Sequence, residues 1–388
     1  MKVKPFLFTV VIITFSFLLF ITCENGAGTG SGADTSDLDD TPPIGTVINV
    51  NNADQWTNAL STINSGGNNK SYTLNILNDF SLPGSPVYSF NSTGIEVLIK
   101  RNKKITLTSS GSILVLKAGQ AVIVENTIFK GFAGNNSSVV EVMAGGYGTG
   151  TFTMQGNASI QDNITPSFGA GVNVFLGGTF IMKDNASVSG NTSSNYGGGG
   201  VYVRSGGSFI MKNYTSVSEN TASYGGGGVY VTGTFTMQDC ASVSGNTASL
   251  GGGGVYIAGT GSFIMEGSSS ISGNIETGSG IYAGGGGVYV DTDGSFTMND
   301  SAMVLGNTAS LSGGGVLVYG ISNTTGGTFR ISGGTVYGNE VIAGLKNVAV
   351  NGAALYRTGG TAQYGITSPY GSLSTSENTI KVVNGLLE

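Results

Sequence analysis

The sequence predicts an all-β chain folded as a right-handed, single-stranded parallel β-helix, a solenoid of three short strands per coil with an N-terminal capping helix. Three observations predict it. A Phe-x-Met triplet returns at nearly constant intervals, glycine is far above its usual share, and apolar residues alternate instead of recurring at helical spacing.

Glycine accounts for 67 of 388 residues, which suits either a disordered chain or one that turns very often. Disorder is excluded by the balance of 39% hydrophobic to 10% charged residues, the reverse of a disordered composition. Charge is uneven along the chain. Glu24, Asp34, Asp37, Asp39 and Asp40 crowd one short segment without a base, and the rest is nearly neutral. A neutral body offers no electrostatic footprint for nucleic acid. The one basic run, Lys100, Arg101, Lys103 and Lys104, reads as a solvated turn. The chain has no histidine, which excludes every mechanism that needs an imidazole.

Residues 1–22 read as a secretory signal of the lipoprotein type. Lys2 and Lys4 precede an apolar run from Phe6 to Ile21, too short to span a bilayer as a helix. Leu19-Phe20-Ile21-Thr22-Cys23 resembles a bacterial lipobox, which implies that Cys23 is lipidated and becomes the mature N-terminus. Phe20 stands where Leu is usual and Thr22 where Gly or Ala is usual. Residues 23–45 form a flexible acidic tether rich in Gly and Ser, with an r.m.s. reach of roughly 25 Å. With Cys23 lipidated, Cys240 is expected to lack an intrachain partner. It occupies a repeat slot filled elsewhere by Asn157, Asn185, Tyr214, Ser268 and Ser301 and reads as a bystander.

Residues 46–145 are read as an N-terminal cap and irregular coils. Between Asn52 and Asn64, Trp56, Leu60 and Ile63 fall at helical spacing, with Asp54 early where a carboxylate suits the helix dipole. A short amphipathic helix covering the open end of the solenoid follows from this, since bare strand edges aggregate. Irregular strands follow at Thr73–Leu77, Ile95–Ile99 and Ile113–Val124.

Residues 146–340 carry the repeat. Phe152, Phe180, Phe209, Phe235, Phe263, Phe296 and Phe329 are spaced by 28, 29, 26, 28, 33 and 33 residues. Each triplet is followed by a short aliphatic segment ending in Asn and preceded by a glycine block and an alternating triplet such as Val201-Tyr202-Val203. These segments are too short for helices, which excludes βαβ units, and the leucine framework of leucine-rich repeats is missing. Coils stacked at about 4.8 Å put equivalent residues over one another, so seven coils extend roughly 34 Å.

Stacking assigns roles. Asn191, Asn220, Asn246, Asn274, Asn307 and Asn339 are expected to form a structural ladder at a tight turn, their amides bonding from coil to coil. The glycine blocks, such as 197–200 and 225–228, are expected at corners, and they lack the Lys and helix of a phosphate loop. If both valines of each Val-x-Val strand point inward, Tyr202, Tyr230, Tyr256 and Tyr289 point outward in one column. That column is the candidate binding face, suited to a sugar or an extended peptide, although a self-stacking ladder would serve the sheet alone.

The segment Asn246-Thr247-Ala248-Ser249-Leu250-Gly251-Gly252-Gly253-Gly254-Val255-Tyr256 resembles the GN(S/T)A…GGA(I/V)Y repeats of polymorphic outer-membrane protein adhesins and related pectin-lyase-like β-helix proteins. The likeness covers about half of the chain. It implies a surface-exposed β-helix with an adhesive or antigenic role, anchored at the outer membrane or cell surface and meeting host or cell-surface glycans or proteins. Those adhesins continue into a membrane barrel. The residues after Asn339 are too few for one, so the lipid at Cys23 is expected to serve as anchor. Residues 341–388 are read as a final coil and cap, with Ile380–Val383 as a strand.

A polysaccharide lyase or hydrolase on the same scaffold is the enzymatic alternative, and a purely structural or antigenic surface protein is the other. The motifs of β-helix polygalacturonases are absent as a set. Asp184, Asp239 and Asp300 share one repeat slot, but turns favour Asp, and the sole Asp-Asp pair lies in the tether. Asp291-Thr292-Asp293-Gly294 begins like a Ca²⁺ loop without the ligands that should follow. No catalytic residue, metal or cofactor is therefore assigned.

Overall fold

Alternation of inward apolar and outward polar side chains makes each triplet a strand, and each strand pairs with its equivalent one coil away. A computed structural model describes residues 45–84, 88–143, 148–280, 282–322, 325–367 and 369–388. The signal segment, Cys23 and the tether up to Ile44 lie outside the described residues. The body is an all-β, right-handed parallel β-helix.

One coil shows the order. Gly178–Met182 belongs to a 13-stranded sheet (the Phe sheet), Ser187–Ser189 to a 12-stranded one (the Ser sheet), and Val201–Val203 to a 9-stranded one (the Tyr sheet). In six coils a two-residue strand lies between the Ser and Tyr strands, here Thr192–Ser193. That fourth ladder adds to the expected three. A single small inward side chain per coil, such as Ala222 or Ala248, gives no apolar alternation for a sequence to display.

Register is continuous. Phe180 pairs with Phe209, Val188 with Val217 and Val201 with Val229, so like side chains stack inside one core running from Val50 to Val382. From Phe180 to Phe329, neighbouring rings stack at 4.6 to 5.0 Å between centroids. Aromatic pairs in such arrangements contribute about 0.5–1.5 kcal/mol beyond the area they bury.

The Asn ladder runs through the core edge with all members fully buried. Asn220 Nδ2 donates to Asn246 Oδ1 at 3.0 Å, and the same bond links Asn246 to Asn274, Asn274 to Asn307, and Asn191 to Asn220. The same oxygens also accept the backbone N–H of the preceding ladder residue. Two features differ from expectation. The left-handed residue of this turn is the one before the asparagine (Gly190, Glu219, Gly245, Gly273, Gly306), so each asparagine serves for its amide and not for its backbone. And Asn339 is exposed, bonded to Glu377 instead; Asn347 takes its rung, accepting from Asn307 Nδ2 at 3.0 Å. After Tyr337 the chain makes an irregular excursion before rejoining the stack, and this displaces the rung by eight positions.

Glu276 replaces the small residue of the short ladder and is buried. Its carboxylate accepts the Gly278 N–H and the Ser310 hydroxyl, pinning the extra residues that lengthen this coil.

Both ends are closed. Helix α1 (Ala53–Ser65), the one helix among the described residues, is capped by Asn52, whose side chain accepts from Gln55 N. It buries Trp56, Ala59, Leu60 and Ile63 against the first coils, with Trp56 and Phe80 6.4 Å apart. At the other end the chain reverses: Ile380–Val383 pairs antiparallel with Gly334–Val336, and Leu386–Leu387 folds back on it.

Candidate binding face

The Tyr sheet turns both valines of each triplet inward, which leaves its middle residues in one outward column. In chain order that column reads Val115, Glu141, Asn173, Tyr202, Tyr230, Tyr256, Tyr289, Leu317 and Tyr356. The four tyrosines are therefore brought together as the sequence suggests. Tyr230 and Tyr256 stack at 5.0 Å and Tyr256 and Tyr289 at 4.7 Å, while Tyr202 meets Tyr230 edge-on at 5.3 Å.

Most of this column is covered. Tyr256 and Tyr289 are buried in a second apolar cluster, outside the core, with Leu317 and the flanking Tyr224, Tyr230 and Tyr319. The glycine blocks form its cover. A Cβ on Gly197, Gly225 or Gly251 would lie 2.3, 2.4 and 2.7 Å from the Cδ2 of Tyr230, Tyr256 and Tyr289 respectively, so these glycines let backbone lie flat on the rings. Tyr256 donates its hydroxyl to Asp291 Oδ2 at 2.7 Å. Burial first, and the Asp291 charge after it, push the Tyr256 and Tyr289 hydroxyls far above the ordinary phenol range; Tyr230 is raised chiefly by burial. Three of the four predicted rings thus serve mainly to bind the sheet to its cover.

The column opens where the repeat begins. Phe168 stacks between Tyr196 (4.3 Å) and Tyr202 (4.8 Å), and the Arg204 guanidinium lies over Tyr202 at 5.1 Å and Phe175 at 4.2 Å. Arg204 thus joins one pile of aromatic rings, Tyr196, Phe168, Tyr202 and Phe175. Arg204 Nε donates to the buried Asn173 Oδ1 at 3.1 Å, which fixes the plane of the guanidinium. Burial raises the Glu141 carboxyl above the usual carboxylate range, and the Arg204 charge offsets part of that rise. Beside the pile lies a cleft of about 430 Å³ lined by Tyr202, the fourth predicted ring, with Met143, Phe175, Leu176, Arg204, Ser205 and Thr232. Leu176, in its wall, is 66% exposed.

Sequence reasoning missed Glu141, Phe168, Asn173, Phe175 and Arg204 because none repeats. The signal was their irregularity: Glu141 and Asn173 interrupt the tyrosine column, and Arg204 stands where later coils place Thr232, Ala258 and Asp291.

The other candidates resolve into structural parts. Asp184, Asp239 and Asp300 adopt left-handed turn conformations, and their carboxylates accept the backbone N–H of Gly156, Asn213 and Gly267 one coil below. Asp291–Gly294 is a tight turn in which Asp291 also accepts the Thr292 N–H. Lys100 and Arg101 border a second cleft, of about 540 Å³, with Glu125 and Asn126. Cys240 sits half-exposed at the outer turn as expected, but it is not without a partner, which corrects the expectation that it stands alone. No family model, no curated protein and no solved structure matches the chain.

Proposed function

We propose that the chain is an exported lipoprotein, anchored through Cys23 at the outer membrane or cell surface, whose β-helix serves as an adhesin or interaction scaffold and not as an enzyme. The observation that carries the binding reading is the open end of the Tyr-sheet face. There a guanidinium held against two aromatic rings adjoins a cleft with an exposed apolar wall. The GN(S/T)A…GGA(I/V)Y likeness to polymorphic outer-membrane adhesins supports the same reading, as does a flexible tether directly after the candidate lipid site. Against catalysis stand the turn-forming duties of the aspartates, each occupied by backbone N–H groups.

The test combines anchoring and exposure. Cells making the wild-type chain should incorporate radiolabelled fatty acid into it and lose the repeat region on protease treatment when intact. Cys23→Ser should abolish the label and release the protein from the membrane fraction. A repeat region resistant to protease on intact cells would remove the surface role, and turnover of a polysaccharide by the purified chain would replace the binding role with an enzymatic one.

A further inference from the structure

The cleft beside Arg204 differs from every other part of the Tyr-sheet face in three respects. It is open, it is partly apolar, and it contains a cation already engaged by two aromatic rings. With its central carbon 4.2 Å from the Phe175 ring centroid and 5.1 Å from that of Tyr202, the guanidinium is held by two rings. Nε is committed to Asn173, and among the described residues the two terminal nitrogens have no hydrogen-bond partner. What remains is a planar fork of donors, fixed in position before any ligand arrives. Such preorganisation lowers the entropic cost of binding.

The rest of the lining defines the ligand. Ser205 and Thr232 line the same cleft, the Thr232 hydroxyl donating to Val203 O and keeping its lone pairs for a ligand, and Met143, Phe175 and Leu176 supply an apolar wall. One side thus offers C–H and ring surface and the other donors and acceptors, the two-sided character of a pyranose with an apolar face and a rim of hydroxyls. Glu141 decides the charge. It stands in the outward column next to Asn173, the residue that Arg204 Nε bonds, so a carboxylate of the protein's own faces the guanidinium charge and an anionic ligand gains little there. The volume, about 430 Å³, is at the lower end of the roughly 300–1,000 Å³ of small-ligand pockets.

We propose that this cleft binds a neutral saccharide, one pyranose ring lying against Phe175 and Leu176 with vicinal hydroxyls received by the Arg204 fork, Ser205 and Thr232. Asn173 and Glu141 act as positioning residues that hold the guanidinium and balance its charge. The inference rests on the reading of this face as the binding face and gives that reading a ligand class.

The experiment titrates the full-length chain in detergent by calorimetry with neutral disaccharides built from glucose, galactose or N-acetylglucosamine, and with a galacturonate disaccharide. At least one neutral disaccharide should bind saturably and more tightly than the galacturonate. Arg204→Ala and Phe175→Ala should each weaken it about tenfold or more, with unchanged thermal unfolding. Arg204→Lys keeps the charge but loses the fork and the stacking, so it should weaken binding nearly as much; it carries the test if Arg204→Ala does not fold. Tyr289→Phe, far along the covered column, should leave binding unchanged. Saturable binding of the acidic sugar alone, absence of binding by every sugar, or full affinity in Arg204→Lys overturns the proposal. If the sugars fail while protease still strips the repeat region from intact cells, the surface role stands with a different ligand. If sugars bind but the chain is protected on intact cells, the cleft stands and the surface role falls.

Discussion

Asn274 Nδ2 donates to Asn307 Oδ1 at 2.9 Å although 33 residues separate the two, and both are fully buried. The bond is one rung of a ladder that joins coils of unequal length at a common point. The extra residues of the longer coil are accommodated outside it, in the segment held by Glu276.

Replacing Asn246 by Ala removes the acceptor of two buried donors, Asn220 N and Asn220 Nδ2, together with its own donation to Val217 O. Buried groups left unpaired cost about 1–3 kcal/mol each, partly relieved by relaxation, so a loss of about 2–4 kcal/mol is expected in urea unfolding. Asn347→Ala should behave alike, and Asn339→Ala, at an exposed position, should stay within about 0.5 kcal/mol of wild type.

The cover over the tyrosines predicts a steric penalty. In Gly225→Ala the new methyl meets Tyr256 Cδ2 at 2.4 Å, and overpacking of this kind costs about 1–3 kcal/mol. Made in a Tyr256→Ala background, the same change should cost less, because two of the three nearest atoms belong to the Tyr256 ring and the third is the Gly251 carbonyl at 2.8 Å. A double-mutant cycle from equilibrium unfolding measures the difference.

Tyr230, Tyr256 and Tyr289 all hold their protons more tightly folded than unfolded. A group raised on folding contributes stability that is complete below its unfolded pKa and declines as the pH climbs toward the folded value. The decline should therefore begin near pH 10, where unfolded phenols ionise. Absorbance titration at 295 nm should show these rings ionising together with unfolding, later than the exposed tyrosines. In Tyr256→Phe the alkaline decline should be shallower.

Trp56→Ala removes the largest side chain of the capping helix from a fully buried site, at a cost of about 3–5 kcal/mol. Because α1 covers the start of the stack, the loss should also expose strand ends. Light scattering on warming should rise at a lower temperature than in a core variant of equal stability such as Met237→Ala.

The repetition that makes the fold legible also hides its working parts. Phe180, Val188, Val201 and Asn191 recur in step, so their stacking follows from period alone. Asn347 was not legible, because the excursion after Tyr337 moves the rung away from the position that local similarity marks at Asn339. Tyr256 and Tyr289 were legible as a column but not as a covered one, since outward from the core does not mean exposed when a glycine segment lies on top. Arg204 was invisible for the opposite reason: its role depends on Phe168, Phe175 and Asn173, a neighbourhood that one coil possesses and the rest lack.

The step from Phe209 to Phe235 and the step from Phe235 to Phe263 are nearly superimposable, at 4.8 and 4.6 Å with rings tilted by 6° and 8°. The upper surface of one such layer is therefore interchangeable with that of the next. Duplication or deletion of a whole layer in the gene would lengthen or shorten the molecule by about 4.8 Å while both terminal lids keep the neighbours they recognise. The length of the column becomes a quantity that unequal recombination can adjust one notch at a time, with the cleft at Arg204 carried along unchanged.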